Sequence, residues 1–122
     1  MSSTGRTPPG WPRDLPPPGT VEFEAKVVPW LLDQGPADLR AGALRNLPVA
    51  LVRYLRHYTD GALTATRAAY GQARVELGPV LTPAEITSAQ EAISAQGARF
   101  LQLQRELVLV EGALSTGKST NA

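Results

Sequence analysis

The sequence pattern with the most specific chemistry lies near the C-terminus. Residues 112–119 read Gly-Ala-Leu-Ser-Thr-Gly-Lys-Ser and satisfy the spacing of a phosphate-binding loop. Such a loop needs a buried strand before it and a helix after it, because backbone N–H groups and the helix dipole must converge on the phosphates. Here a long helical pattern precedes the motif and three residues follow it. We interpret it as a chance match and predict no cofactor.

Other residues that could do chemistry are isolated. His57 is the single histidine and cysteine is absent, which excludes a multi-histidine metal site, a Cys-based zinc site and a thiolate nucleophile. Glu22 and Glu24 are paired carboxylates, but they stand at the start of a predicted helix, where acids complement the helix dipole. We therefore predict neither a catalytic nor a metal site, and no enzymatic activity.

One basic stripe is the candidate nucleic-acid site. Arg56, Arg67, Tyr70 and Arg74 lie on or near one side of a predicted helix, at spacings built from three and four. Such a stripe could follow a phosphate backbone while the tyrosine stacks on a base. Asp60 interrupts the stripe, and the net charge of the chain is only +1. Binding of nucleic acid is therefore an alternative hypothesis and not the main expectation.

Composition limits the remaining classes. The 122 residues contain no cysteine, which suits a reducing compartment, and no apolar run of 18 residues that could cross a membrane. Proline and glycine occupy the N-terminal region where a signal peptide would need its apolar segment. We predict a cytoplasmic protein with no membrane and no small-molecule partner. The excess of arginine over lysine, ten to two, is typical of high-GC bacterial coding sequences.

The last helix is the strongest structural prediction. Thr82 and Glu85 flank Pro83 in a capping box that starts a helix over about 83–114. Apolar residues then recur with heptad spacing, interrupted at Gln96. The two sets of the stripe are Ile86, Ile93, Phe100, Leu107 and Leu114, and Ala89, Gln96, Leu103 and Val110. A helix with such a stripe must bury it against another helix.

A second long helix is predicted over about 47–77, with Asn46 as its cap and Gly78 at its end. Its apolar face begins with Leu51, Val52, Leu55 and Tyr58 and continues with smaller residues, Ala62, Thr66, Ala69 and Ala73. Because residues 79–81 form a short connection, the two long helices must return on each other as an antiparallel hairpin. The Asp60-Gly61 pair is the expected bend.

Before the hairpin the sequence predicts a Pro-rich extended arm over 1–19 and a short helix capped by Thr20. Pro29 either kinks that helix or starts a second one. Trp11 and Leu15 either dock the arm on the helical domain, which we favour, or leave it free as a polyproline ligand for another protein. The predicted fold is all-α, with the kinked helix at the Leu-rich base of the hairpin. The helical domain spans 20–115, and 116–122 is predicted to be a disordered polar tail.

The last helix carries more apolar surface than one seam needs. Leu101, Val108 and Leu109 stand one or two positions off the heptad stripe, on a flank that a solvated helix would fill with charge. Either the N-terminal helix covers this flank, or a second copy or another protein does. We therefore predict a small non-enzymatic interaction protein, a dimerisation or adaptor module and possible homodimer, with this flank as its candidate partner-binding site.

Overall fold

A computed structural model of the chain describes residues 7–120, and the side chains of 7–116 within that range. The described part is all-helical, with α1 at Val21–Leu32, α2 at Pro48–Leu77 and α3 at Pro83–Thr120. Two short 3-10 helices, Ala37–Ala41 and Ala43–Asn46, connect α1 to α2. The two long helices pack against each other, which confirms the predicted helical hairpin with a shorter N-terminal helix.

Two compact units share the long helices. The first, which we call the terminal unit, comprises described residues 7–58 and 105–120 and holds α1 with one part each of α2 and α3. The second, the central unit, comprises residues 59–104 and holds only the remaining parts of α2 and α3. The change from large to small apolar residues along α2 predicts this division into a three-helix unit and a two-helix unit.

Two of the three predicted helix N-terminal caps are present in the structure. The Phe23 amide donates to Thr20 Oγ1 at 3.1 Å. At the start of α3, the Thr82 amide donates to Glu85 Oε1 at 2.9 Å and the Glu85 amide to Thr82 Oγ1 at 3.1 Å, a complete capping box. The prediction for Asn46 was wrong, because this residue ends a 3-10 helix and the carbonyl of Leu47 accepts the first α2 bond, from the Leu51 amide at 2.8 Å.

α1 continues through Pro29, so the alternative of a second helix starting there is wrong. Pro29 is exposed, as expected for a residue whose ring removes one helical hydrogen bond on the solvent side. At the other end of the chain, α3 continues to Thr120, six residues past its predicted end. The predicted disordered tail over 116–122 stays a prediction for residues 121–122, which lie outside the described residues together with residues 1–6 of the arm.

The core of the terminal unit forms where the large apolar residues of its helices meet. Six apolar side chains with no measurable exposure belong to it: Leu31, Leu51, Val52, Leu55, Leu107 and Val110. Tyr58 was predicted on this face and is instead 40% exposed, stacked on Tyr54 with ring centroids 6.1 Å apart. The terminal unit therefore has an aliphatic core with an aromatic pair at its surface.

The arm docks through Trp11 and Leu15, which are 8% and 4% exposed. The Trp11 ring lies 5.7 Å from that of Phe23, and its indole N–H donates to the carbonyls of Leu15 and Pro16. Gly10 adopts φ +83°, a left-handed conformation that favours glycine, and a Cβ there would lie 3.7 Å from Leu109 Cδ1. The docking interpretation therefore holds for residues 7–19.

In the central unit, α2 and α3 run antiparallel with small residues at close approach. Gln104 Nε2 donates to Asp60 Oδ1 at 2.5 Å, and a Cβ on Gly97 would lie 3.5 Å from Thr66 Cγ2. Of the heptad positions of α3 in this unit, Ile86 and Leu103 are buried, whereas Ile93 and Phe100 are only half-buried. Two helices alone leave part of the predicted stripe accessible.

Gly61 gives a simple stability test. It lies inside α2, and nothing lies within 4 Å of a Cβ added there. We expect Gly61→Ala to stabilise the protein by about 1 kcal/mol, since alanine restricts the unfolded chain and favours the helix. Thermal or urea unfolding measures the change. Gly78→Ala is the matched control, because its Cβ would lie 2.7 Å from the Arg74 carbonyl oxygen, and it should destabilise the protein.

Thr59 holds a buried hydroxyl without a partner. Its side chain is 0% exposed, and Oγ1 has no hydrogen-bond partner among the described residues. Thr59→Val keeps the shape and removes the cost of the unmet hydroxyl, so we expect a gain of about 1 to 2 kcal/mol in unfolding free energy. Thr66→Val is the control, because the Thr66 hydroxyl donates to the Ala62 carbonyl at 2.7 Å. A loss at both positions would contradict the assignment of Thr59 Oγ1 as unsatisfied.

Candidate interaction surface

The predicted partner-binding residues on α3 have different surroundings. Leu101 belongs to the central unit and is 39% exposed, while Val108 belongs to the terminal unit and is 50% exposed. Leu109 is half-buried and faces the arm at Gly10. The arm therefore lies beside Leu109, whereas Leu101 and Val108 keep accessible surface.

Leu101 lies at the edge of a groove between α2 and α3 in the central unit, which we call the central groove. Its volume is about 410 Å³. Small residues form part of its lining, which allows another helix to approach closely. The apolar and small residues that line it are Leu63, Gly71, Ile93, Gly97, Ala98 and Leu101. A groove with this lining resembles the surface that a further helix covers in a helical bundle.

Polar residues continue the same face. Tyr70, 46% exposed, and Ser94 line both the central groove and a neighbouring depression. That depression is also lined by Arg74 on α2 and Glu91 on α3, while Arg67 lines the groove itself. The face therefore has an apolar centre with cations on its α2 side and an acid on its α3 side.

The terminal unit has an apolar groove of its own, about 560 Å³ in volume, lined by parts of α1, the start of α2 and residues 113–114 of α3. Leu47, 53% exposed, and Val28 contribute apolar surface, and Glu24 contributes one charge. Sequence reasoning missed this groove, because residues from three helices must converge before it exists.

Sequence reasoning also missed an ion-pair cluster in the terminal unit. Glu111 on α3 is 7% exposed and accepts hydrogen bonds from Arg53 and Arg56 on α2, with an Nη1 to Oε1 distance of 2.6 Å for Arg56. Both arginine side chains are exposed, at 66% for Arg53 and 45% for Arg56. The signal in the sequence is a lone acid in the apolar run 107–114, but its partners lie 55 and 58 residues away.

The cluster holds Glu111 in its charged form. The hydrogen bond from Arg56 is the largest cause that lowers the pKa of Glu111 below its ordinary value of 4.5. Burial of the carboxylate acts in the opposite direction, and the hydrogen bond from Arg53 and the charges of both guanidinium groups lower the pKa further. At neutral pH the two arginines and Glu111 together carry a net charge of +1.

The predicted nucleic-acid stripe is divided by this cluster. Arg56 is bound to Glu111 in the terminal unit, whereas Arg67, Tyr70 and Arg74 line the surface of the central unit. Glu91 shares the depression with Arg74 and lowers the positive potential there. The structure thus assigns Arg56 a partner within the chain, and the other three residues stay a prediction.

The remaining chemical candidates have no constellation around them. The backbone of residues 112–119 is helical, whereas a phosphate-binding loop needs an open loop at this point. His57 is exposed on α2. Across the described residues, no group of three His, Cys, Asp or Glu side chains could hold a metal ion. None of the described helices combines the length and apolar character needed to span a bilayer.

Comparison with protein families, with curated proteins and with solved structures gives no match, so no function is carried to this chain from a relative.

Proposed function

We propose that this chain is a non-enzymatic helical interaction module of a bacterial cytoplasm, acting as a dimerisation or adaptor protein. The observation that carries the proposal is the central groove, whose apolar lining and exposed Leu101 and Tyr70 are the surface that a further helix would bury. Two packed helices cannot bury all of their apolar residues against each other. A partner that covers the groove would bury the apolar surface that remains exposed.

The composition of the groove supports a helical partner. Small residues on both walls, among them Gly71 and Gly97, allow a third helix to pack at a short distance, and Leu101, 39% exposed, adds a large apolar side chain for it to contact. An aromatic residue with an apolar body and a polar tip, such as Tyr70, is typical of the centre of protein interfaces.

A charge placed in the groove tests the proposal. Leu101→Glu should abolish capture of the partner, because it replaces apolar surface in the groove with a carboxylate that would lose its hydration when a partner covers it. Two differently tagged copies, expressed together in the source organism, report on both kinds of partner: the second tag reports self-association, and mass spectrometry reports another protein. Circular dichroism checks that the variant is folded.

Val75→Glu is the matched control, since Val75 is 75% exposed on α2 and does not line the groove. We expect wild type and Val75→Glu to recover the same partner and Leu101→Glu to lose it. If folded Leu101→Glu recovers everything that wild type recovers, the proposal is wrong.

A further inference from the structure

The charge pattern of the central groove indicates which partner it fits. The face has an apolar strip at its centre, two cations on the α2 side, Arg67 and Arg74, and an acid on the α3 side, Glu91. In the structure neither Arg74 nor Glu91 forms an ion pair with any described residue. An occupant that matches this face must present an acid to α2 and a cation to α3.

A second copy of the same face meets that requirement in one orientation. Arg74 and Glu91 line one depression, so they lie at about the same height along the hairpin. A two-fold axis parallel to the helices places α2 of one copy against α3 of the other without changing that height. Arg74 of each copy then faces Glu91 of the other, and the interface contains two equivalent charge pairs.

The other two-fold arrangement is disfavoured by the same charges. An axis perpendicular to the helices places α2 of one copy against α2 of the other with its height reversed, so that, with the axis near Tyr70, Arg67 of each copy meets Arg74 of the other. Like charges across an interface oppose association, so this face discriminates between the two arrangements.

We propose that a second copy of this chain packs on the central groove about a two-fold axis parallel to the helices, forming an antiparallel four-helix bundle. This inference rests on the proposed function and names its partner. Leu101 and Tyr70 of both copies lie in the apolar centre, and neighbouring helices are antiparallel throughout, which also pairs opposite helix dipoles.

The area of the central-unit face gives an expectation for the affinity of the dimer. The helical segments of the central unit are roughly 30 Å long at 1.5 Å per residue, and two packed helices are roughly 20 Å wide, which gives a face of about 600 Å². This is somewhat below the roughly 800 Å² per partner of a standard stable interface, so a dimer in the micromolar range is expected.

Charge reversal tests the arrangement directly. The full chain is followed by sedimentation equilibrium from about 1 to 200 μM, a range that covers micromolar dissociation constants. Arg74→Glu alone places two acid pairs at the interface and Glu91→Arg alone places two cation pairs. Each single variant should dimerise about tenfold or more less tightly than wild type. Both positions are exposed, so folding should be unaffected.

An equimolar mixture of the two single variants decides whether the pairs are between copies. In the mixed dimer every acid at positions 74 and 91 of one copy faces a cation of the other, so association should return to the wild-type value. The double variant Arg74→Glu/Glu91→Arg should also dimerise like wild type. A wild-type chain that stays monomeric at 200 μM, or a mixture no tighter than the single variants, would overturn the inference.

These failures are distinguishable from failure of the proposed function. If the chain is monomeric but Leu101→Glu loses a different captured protein, the second copy is excluded and the interaction module stands. If the chain is monomeric and Leu101→Glu loses nothing, both are excluded. Val75→Glu serves as control in the sedimentation series, and it should dimerise like wild type.

Discussion

Replacing Arg53 and Arg56 together with methionine should cost about 1 to 3 kcal/mol of unfolding free energy at neutral pH, because it leaves the Glu111 carboxylate, 7% exposed, without its hydrogen-bond donors. Methionine keeps part of the aliphatic stem of each arginine and removes only the charged donors. Denaturant unfolding of the purified variant measures the loss.

A triple variant supplies the control for this result. Adding Glu111→Met to the double variant removes the buried charge as well, and we expect the stability to return to within about 1 kcal/mol of wild type, as for other ion clusters replaced by apolar side chains. If the triple variant were as unstable as the double variant, the loss would come from lost packing of the arginines and not from the unpaired carboxylate.

The same cluster predicts the acid sensitivity of the wild-type chain. Because the pKa of Glu111 is lower in the folded protein than its ordinary value of 4.5, its contribution to stability is complete above that pH. The contribution is lost as the pH falls below 4.5 through the folded pKa. We expect Glu111→Gln to have a smaller loss of stability between pH 5 and pH 3 than wild type, measured by thermal unfolding at each pH. An equal loss in both proteins would assign acid unfolding to other groups.

Trp11→Ala should also have a large effect, a loss of about 3 kcal/mol, typical of truncating a buried tryptophan. The substitution removes the ring contact with Phe23 and the indole N–H that donates to the carbonyls of Leu15 and Pro16. Since these contacts fix the arm, trypsin should cleave the variant at Arg13, which is exposed in the arm, faster than it cleaves wild type.

Trp11→Phe is the graded control for the arm. Phenylalanine retains an aromatic ring beside Phe23 but lacks the indole N–H, so the loss should be smaller and trypsin cleavage intermediate. If Trp11→Ala were as stable and as resistant to trypsin as wild type, the arm would not be docked in solution, and Leu109 would be accessible to a partner.

The predictions from sequence were most accurate where residues close together in the chain determine the structure. The capping box of Thr82 and Glu85 is complete in the structure, and Thr20 accepts the Phe23 amide, since each cap involves residues three apart. Asn46 failed as a cap because an adjoining 3-10 helix uses its backbone, a competition that cap propensity alone does not reveal.

Prediction of the candidate site was partial for a different reason. The heptad pattern shows that α3 has surplus apolar residues, but not which of them another part of the chain covers. Leu109 faces the arm, whereas Leu101 lines the central groove, which forms only when α2 packs beside α3. The ion pair of Arg56 with Glu111 was not predicted, because the two residues are 55 positions apart in the sequence.

Local features of the sequence are enough to predict an α-helical hairpin with a helix before it, because periodicity, caps and the short 79–81 connection depend on neighbouring residues. The packing of distant segments determines which apolar residues are covered, how Trp11 anchors the arm on Phe23 and how Glu111 is enclosed between two arginines. Burial and ion pairing depend on which distant segments approach each other, and helical periodicity gives the direction a side chain faces but not what it meets.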